Sequence, residues 1–329
     1  MERKELEMIL DLKVHLINDG KIGSVFLPNE IFKDLISCKK LFQGGTSHIA
    51  FAYSYIYFSY WLYRNCKYDV NTKFTQSIIK EVLGYSSTNK TLNYIIKKGG
   101  ITDELGYTET TTDYPTFWEI EEDGFIMFHT INEFKNDNKE FKSIIRNRNF
   151  KVKFPVKAFH RTLESLSEKE LDGTFYDVTY SHQVPFEVFI YCMEQADIGV
   201  IGFYIYSYLK SLNDRFSEGA CVSLPRFNKE LGIRTSSLDT YLESLKIHNM
   251  IVCHEQPYVF GIPDHLRKPN TYEVNKVHVF EKGSSPGKKR RVLHISTDKI
   301  LRSELYAEES VKTTGVRKGL EVSESELPF

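Results

Sequence analysis

Between residues 198 and 254, the apolar positions predict three helices and a following strand. The first two helices are "IGVIGFYIYSYLKSLNDR" and "PRFNKELG", with the strand-like "ACVSL" between them. The third helix restarts just after Gly232, where Thr235 or Ser236 is expected to accept hydrogen bonds from the unpaired amides of its first turn. The apolar residues that recur on one face of these helices are Ile201, Ile205, Leu209, Leu212, Phe227, Leu231, Leu238, Leu242 and Leu245.

Residues 47–130 show a similar order of elements. An aromatic-rich helix over about 47–64, capped by Thr46 or Ser47, comes first. Two more helices are predicted in "TKFTQSIIKEVLG" and "STNKTLNYIIKK", and Ile101 is expected to lead into the strands "TFWEIEE" and "GFIMFHTI". The sequence therefore predicts an internal duplication of one pattern, although few letters are identical.

Each copy predicts a helix-turn-helix followed by strands, which is the arrangement of a winged helix-turn-helix. The expected fold class is therefore α+β, mainly α with small β-sheets, with two winged helix-turn-helix domains in tandem. Polar segments separate and follow the two copies. The predicted parts of the chain are an N-terminal segment (1–45), a first winged helix-turn-helix domain (46–135), a basic and polar linker (136–185), a second winged helix-turn-helix domain (186–280) and a flexible C-terminal tail (281–329).

The composition indicates a globular protein. The 329-residue chain is 41% apolar and 14% aromatic, enough to bury proper cores. Its net charge of -1 means that any nucleic-acid surface must come from local charge segregation. The five cysteines contain no CxxC pair, which argues against a disulfide framework or a zinc site. The most apolar stretch, "HIAFAYSYIYFSYWLY", is too short and too rich in hydroxyls to span a membrane, so we expect a cytoplasmic protein without a membrane partner.

The last helix of a helix-turn-helix lies in the major groove of double-stranded DNA. In the first copy this helix carries polar and basic side chains and no acid, so it is expected to read the DNA. In the second copy Asp239 and Glu243 share the helix and would repel phosphates unless they point away. Dimerisation or protein docking is the alternative use of either unit. The predicted DNA-binding residues are Ser87, Asn89, Lys90, Asn93 and Lys97 in the first copy and Arg234, Thr235, Ser236, Ser237 and Thr240 in the second.

Residues 141–161 form a basic segment with seven Lys and Arg residues and no Asp or Glu. Its Arg146, Arg148, Lys151 and Lys153 are predicted to contact the phosphate backbone of DNA. A solvated basic linker is the alternative interpretation. The predicted wing of the first copy, about 102–117, is acidic instead and is expected to face a partner protein or solvent.

Enzyme chemistry finds little support in the sequence. It contains no GxSxG, HExxH or phosphate-loop motif, and its ten histidines are scattered. The sequence therefore predicts a protein that is not an enzyme, with no catalytic residue, no cofactor and no metal.

Residues 198–253 resemble the winged helix-turn-helix modules of plasmid and phage replication proteins and related regulators. In these modules "ELGI" is followed by a Ser/Thr-rich stretch and by a helix that ends "LKxxxxI", as it does here. Residues 47–120 resemble a more diverged copy. The resemblance implies a replication initiator or regulator that binds double-stranded DNA, with one unit reading DNA and the other contributing to a homodimer.

Two alternatives remain open at the level of sequence. A transcription repressor would use the same contacts as an initiator. A protein of another class, an interaction module with little DNA affinity, would bind replication or host proteins through the acidic wing and the tail.

Overall fold

The protein combines long helices, short helices and small β-sheets. Within the part of the chain that the structure describes, helices account for 47% of the residues and strands for 18%, which confirms the predicted α+β class. The computed structural model describes residues 24–68, 74–122, 124–135, 150–216, 218–260, 268–283 and 292–294.

One long helix dominates the described residues up to 135, and shorter helices and strands surround it. In chain order these elements are β1 (Ser24–Pro28), α1 (Ile31–Ser37), α2 (Lys39–Gly44), α3 (Thr46–Arg64), α4 (Gln76–Val82), α5 (Asn93–Ile96), α6 (Ile101–Glu104), β2 (Glu109–Thr111), β3 (Pro115–Ile120), β4 (Ile126–Thr130) and α7 (Ile131–Lys135).

The described residues from 150 onward contain a second long helix and the helix pair that the sequence predicted after it. These elements are β5 (Val152–Phe154), α8 (Val156–Phe159), α9 (Leu163–Glu168), β6 (Ser181–Pro185), α10 (Phe186–Glu194), α11 (Gly199–Asn213), β7 (Ala220–Val222), α12 (Leu224–Leu231), α13 (Thr235–Ile247), β8 (Ile251–His254), β9 (Tyr258–Phe260), β10 (Asn270–Val274), a 3-10 turn (Val277–Val279) and β11 (Val292–His294).

The strands pair in small, mostly antiparallel sheets. β1 pairs with β6, β2 pairs with β5, and β3 and β4 form a hairpin. β7, β10 and β8 lie side by side in that order, and β9 pairs with β11 in parallel. Because β5 and β6 belong to the segment predicted as a linker, its described part, residues 150–185, is folded structure. The same holds for β1, α1 and α2 of the predicted N-terminal segment.

The core forms where α3 packs along α11. Residues 49–63 of α3 are all buried, as expected of a helix that is apolar around its whole circumference. The ring of Tyr53 lies 5.8 Å from that of Phe203 and 5.3 Å from that of Tyr204. The ring of Tyr57 lies 5.0 Å from that of Phe203. The two predicted domains therefore share one continuous hydrophobic core.

The beginnings of α3 and α13 differ from the prediction. Gly45 and Arg234 occupy the N-cap positions, and neither helix has a side-chain cap. The hydroxyl of Thr46 instead donates to the backbone carbonyl of Gly232 at 3.1 Å. The caps predicted from the neighbouring Ser and Thr residues are therefore wrong, because at α3 this hydroxyl joins two elements that are distant in sequence.

The third helix predicted for the first copy is only about one turn long. Helix α5 covers Asn93–Ile96, and turns precede it. The Oδ1 of Asn89 accepts hydrogen bonds from the backbone N–H and the hydroxyl of Thr91 at 2.9 and 2.7 Å. Such local bonds compete with helix formation, which explains why the predicted helix is wrong. Ile101 begins α6 and not a strand.

A polar network is buried where β1 and β6 meet α3. The Nε2 of His182 is hydrogen bonded to the hydroxyl of Tyr53 at 2.8 Å, and its Nδ1 to the Oδ1 of Asn29 at 3.0 Å. Because the amide oxygen can only accept, Nδ1 carries the ring proton and Nε2 accepts from Tyr53. Burial lowers the pKa of His182 to about 3, so the ring stays neutral in the folded protein.

This network predicts loss of stability in mild acid. The unfolded chain takes up a proton on His182 below about pH 6.5, whereas the folded protein does not until about pH 3. The contribution of the neutral His182 to the free energy of unfolding is therefore complete above about pH 6.5. Below this pH the contribution falls by up to about 1.4 kcal/mol per pH unit. Urea unfolding between pH 7.5 and 5 measures this slope, which His182→Gln should reduce. An equal slope in both proteins would contradict the assignment.

Candidate nucleic-acid interface

The turn between α12 and α13 lies against the first turns of α3. Gly232 ends α12 in the left-handed region, with φ 66°, where glycine is favoured. A Cβ on Gly232 would lie 2.9 Å from the Cδ1 of Ile49, and the Gly232 carbonyl accepts from Thr46. This close approach fixes the beginning of α13 beside the N-terminal end of α3.

The segment 85–97 lies against the same end of α3. The hydroxyl of Tyr85 donates to the carbonyl of Ser47 at 3.4 Å, and its ring packs edge-on against Phe51. The hydroxyl of Tyr94 is hydrogen bonded to the Nδ1 of His48 at 2.8 Å. The two groups of predicted DNA-binding residues, 87–97 and 234–240, therefore flank one helix end.

We call this region the polar surface and define it as Lys40, residues 85–97 and residues 234–240. Most of the predicted residues are accessible to solvent there. The exposed ones are Lys90, Lys97, Arg234, Thr235, Ser236 and Thr240, and the half-buried ones are Ser87, Asn89, Asn93 and Ser237.

An open cleft of about 490 Å³ lies beside the beginning of α3, at the edge of the polar surface formed by Lys40, Tyr94 and Lys97. Lys40 and Lys97 line it together with the hydrogen-bonded pair of His48 and Tyr94. Burial lowers the pKa of His48, so its ring is neutral at pH 7. Glu104 also lines the cleft and pairs with Lys40 at 3.4 Å. The lining carries one more cation than anions, which suits a phosphate group.

The sequence did not single out Lys40, His48 and Tyr94 as site residues. Lys40 lies in the predicted N-terminal segment, and Tyr94 stands among the apolar residues of a predicted core helix. The double lysine at Lys39 and Lys40 was the one available signal. Only the approach of α2 to residues 94–99 brings these side chains together.

Two asparagines of the polar surface already have intramolecular partners. The ammonium of Lys80 donates to the Asn89 carbonyl and to the Asn93 Oδ1, both at 2.6 Å. These bonds hold the turns before α5 in place. The Oδ1 of Asn93 is therefore already hydrogen bonded within the protein, although the half-buried Asn93 side chain still reaches solvent.

One of the acids on α13 is paired, and the other is exposed. Glu243 forms an ion pair with Lys246 at 2.6 Å, and Lys246 also contacts Glu255 at 3.3 Å. Asp239 is exposed on the helix. The repulsion of phosphates expected from these acids is therefore reduced at Glu243 and remains at Asp239.

The basic segment behaves differently from the prediction where it is described. Arg146 and Arg148 lie outside the described residues, and Lys151 is exposed. Lys153 is only 4% exposed and donates to Asp103 at 2.6 Å and to Thr110 at 2.9 Å. Burial lowers the pKa of Lys153, and the Asp103 carboxylate opposes that shift.

The predicted phosphate contact at Lys153 is therefore wrong in this structure. Pairing of β5 with β2 turns this side chain inward, which a count of charges along the sequence does not reveal. Two further cations of the segment also have internal partners. Lys157 pairs with Glu30 at 3.1 Å, and Arg161 donates to the carbonyls of Asp177 and Thr179.

No protein family, curated protein or solved structure that was compared with the chain matches it. No helix in the described part combines the length and apolar character needed to cross a membrane. No group of three or more His, Cys, Asp and Glu side chains among the described residues is arranged to hold a metal ion.

The buried ion pair predicts a sharp contrast between two nearby lysines. Lys153→Ala removes the cation from the Asp103 carboxylate, whose side chain is only 12% exposed, and we expect it to lower the free energy of unfolding by about 3–5 kcal/mol. Lys151→Ala, an exposed control, should change it by less than about 0.5 kcal/mol. Urea unfolding at pH 7 measures both. A loss below about 1 kcal/mol at Lys153 would show that the pair behaves like a surface pair.

Proposed function

We propose that the protein is a sequence-specific double-stranded DNA-binding protein, a plasmid- or phage-type replication initiator or a related regulator. The observation that carries the proposal is the exposed, polar beginning of α13, which lies at the same end of α3 as the segment that bears Lys90 and Lys97. α13 follows a glycine turn and precedes β8, the arrangement of a winged helix-turn-helix with β7, β10 and β8 as its sheet.

In this proposal α13 reads the DNA. The first residues of a recognition helix contact base edges in the major groove, and here they are Arg234, Thr235 and Ser236, with Thr240 one turn later. An arginine can form two hydrogen bonds to guanine, and the hydroxyl groups can bond to any base. Arg234 is exposed at the N-cap, with its side chain outside the core of the helix-turn-helix.

The residues of the first copy then serve mainly to hold the phosphate backbone. Helix α5 is too short to fill a groove, but Lys90 and Lys97 are exposed on either side of it. Phosphate contacts fix the register of a protein on DNA without reading sequence. The proposal thus gives the reading role to the second copy, where the sequence had favoured the first.

The two roles predict different effects on binding. Arg234→Ala should weaken binding to the specific site by about 5- to 150-fold and leave nonspecific binding nearly unchanged, because base contacts carry about 1–3 kcal/mol of discrimination. Lys90→Ala with Lys97→Ala should weaken binding to all sequences and reduce the slope of log affinity against log salt by about 2. Fluorescence anisotropy titrations at several salt concentrations measure both.

Lys276→Ala is the matched control for these variants. Lys276 is exposed but lies near the C-terminal end of α13, where Asn275 bonds to the backbone of Met250. Unchanged discrimination in folded Arg234→Ala would exclude α13 as the reader. Equal losses at Lys276 would show a nonspecific effect of charge.

Selection of bound fragments from plasmid, phage and bacterial DNA separates the related functions. An initiator should enrich repeated sites beside a replication origin. A transcription repressor would enrich sites upstream of open reading frames instead. Absence of enrichment would contradict DNA reading and support an interaction module. Sedimentation of the chain with single and paired sites tests the homodimer that the resemblance implies.

A further inference from the structure

Large apolar side chains are exposed in residues 163–180, which follow the basic segment (141–161). Leu163, Leu166, Leu171, Val178 and Tyr180 all reach solvent, Leu163 to 86% and Tyr180 to 81%. Single exposed apolar residues are normal, but monomeric proteins rarely group them without a function.

Hydrogen bonds bring this segment back on itself. The guanidinium of Arg161 donates to the carbonyls of Asp177 and Thr179, and the Arg161 backbone N–H donates to Asp172 at 2.8 Å. His160 Nδ1 bonds to the Glu170 carbonyl at 2.7 Å. These bonds tie residues 160–172 to residues 177–179, so the exposed apolar groups lie on one folded loop region.

The tip of the β3–β4 hairpin extends the same surface. The hydroxyl of Tyr176 donates to the carbonyl of Ile126 at 2.8 Å, and the rings of Tyr176 and Phe125 lie 5.3 Å apart. Ile120, at the end of β3, is also exposed. We define residues 120–122, 124–126 and 163–180 as the acidic apolar surface.

The charge of this surface is strongly negative. Between residues 163 and 180 it carries Glu164, Glu168, Glu170, Asp172 and Asp177, against Lys169 alone. The first three carboxylates are exposed, and no ion pair within the described residues engages them. A field of this sign repels DNA and attracts a cationic partner.

The acidic apolar surface lies at the opposite end of α3 from the polar surface. The ring of Tyr60 lies 6.4 Å from Phe175, and the ring of Tyr63 lies 5.3 Å from Phe128, near the C-terminal end of α3. The polar surface contacts Thr46 and His48 at the beginning of this 19-residue helix. At 1.5 Å per residue the two ends are about 28 Å apart, so a partner can bind while DNA is bound.

We propose that the acidic apolar surface docks a basic amphipathic segment of a partner protein. Leucines of the segment cover Leu163, Leu166 and Leu171, and its lysines or arginines face the surrounding carboxylates. The positive charge of such a segment complements the negative charge of the surface. An amphipathic helix that lays its apolar face on an apolar surface is a common form of peptide recognition. The proposal is independent of DNA binding and goes beyond it.

The test uses the full chain and a labelled synthetic helix of about 18 residues, with leucines on one face and lysines on the other. A twin peptide carries glutamate at every lysine position. The chain should bind the basic peptide and not the acidic twin, with affinity that falls as salt increases. Equal binding of both peptides, or no binding of the basic peptide, would overturn the proposal.

Variants locate the binding on the molecule. Leu163→Ser with Leu171→Ser, and separately Glu164→Lys with Glu168→Lys, should each weaken peptide binding by at least about ten-fold. All four side chains are exposed, so these variants should fold. The matched control is Val252→Ser, an exposed apolar residue on β8 that lies outside this surface.

Two results with these variants would contradict the proposal. The first is equal peptide binding by the surface variants and the control. The second is a dimer of the chain alone that the Leu163 and Leu171 variant dissociates, because the surface would then be covered by a second copy. Sedimentation of the chain without peptide decides this last point.

Discussion

The burial of α3 on every side is the constraint on which the rest of the structure depends. A helix with aromatic and aliphatic residues around its whole circumference is stable in water only when other elements cover all of it. Here α11, the β1–β6 pair and the short helices supply that cover. Large aromatic rings such as Tyr53 and Tyr57 make these contacts. The position of α3 therefore determines where the surfaces at its two ends lie.

The two ends of α3 differ in charge and in the groups that surround them. At the N-terminal end, the turn at Gly232 places Arg234 and hydroxyl side chains against α3, and the segment that bears Lys90 and Lys97 contacts the same helix end. At the C-terminal end, carboxylates surround exposed leucines. This separation explains how a chain with a net charge of -1 can present one surface suited to phosphates and another suited to cations. Each proposal follows from the local field at one end.

The sequence predicted best the elements whose apolar spacing is regular. Helices α11, α12 and α13 were expected, because Leu238, Leu242 and Leu245 recur at helical spacing and are buried as predicted. The exposed positions of α13 followed from the same periodicity. By contrast, the hydrophobic pattern of α3 does not identify α11 as its packing partner, because a helix that is buried on all sides has no single apolar face.

Other features depend on contacts between residues that are distant in sequence. Lys153 looked like a phosphate contact beside its basic neighbours, but strand pairing places it against Asp103. The residues before α5 are predicted to be helical, but they form turns in which the Oδ1 of Asn89 accepts a hydrogen bond from the backbone N–H of Thr91. Lys40 joins the candidate site only because α2 folds over residues 94–99. Periodicity carries no information about such long-range pairings.

Amide hydrogen exchange of the full chain, alone and with its selected duplex, tests most directly the claim that the beginning of α13 meets DNA. The account predicts slower exchange of backbone amides in residues 85–97 and 234–240 when DNA is bound. Exchange in residues 163–180 should remain unchanged, because that surface lies at the other end of α3. Protection of residues 163–180 without protection of residues 234–240 would contradict the account.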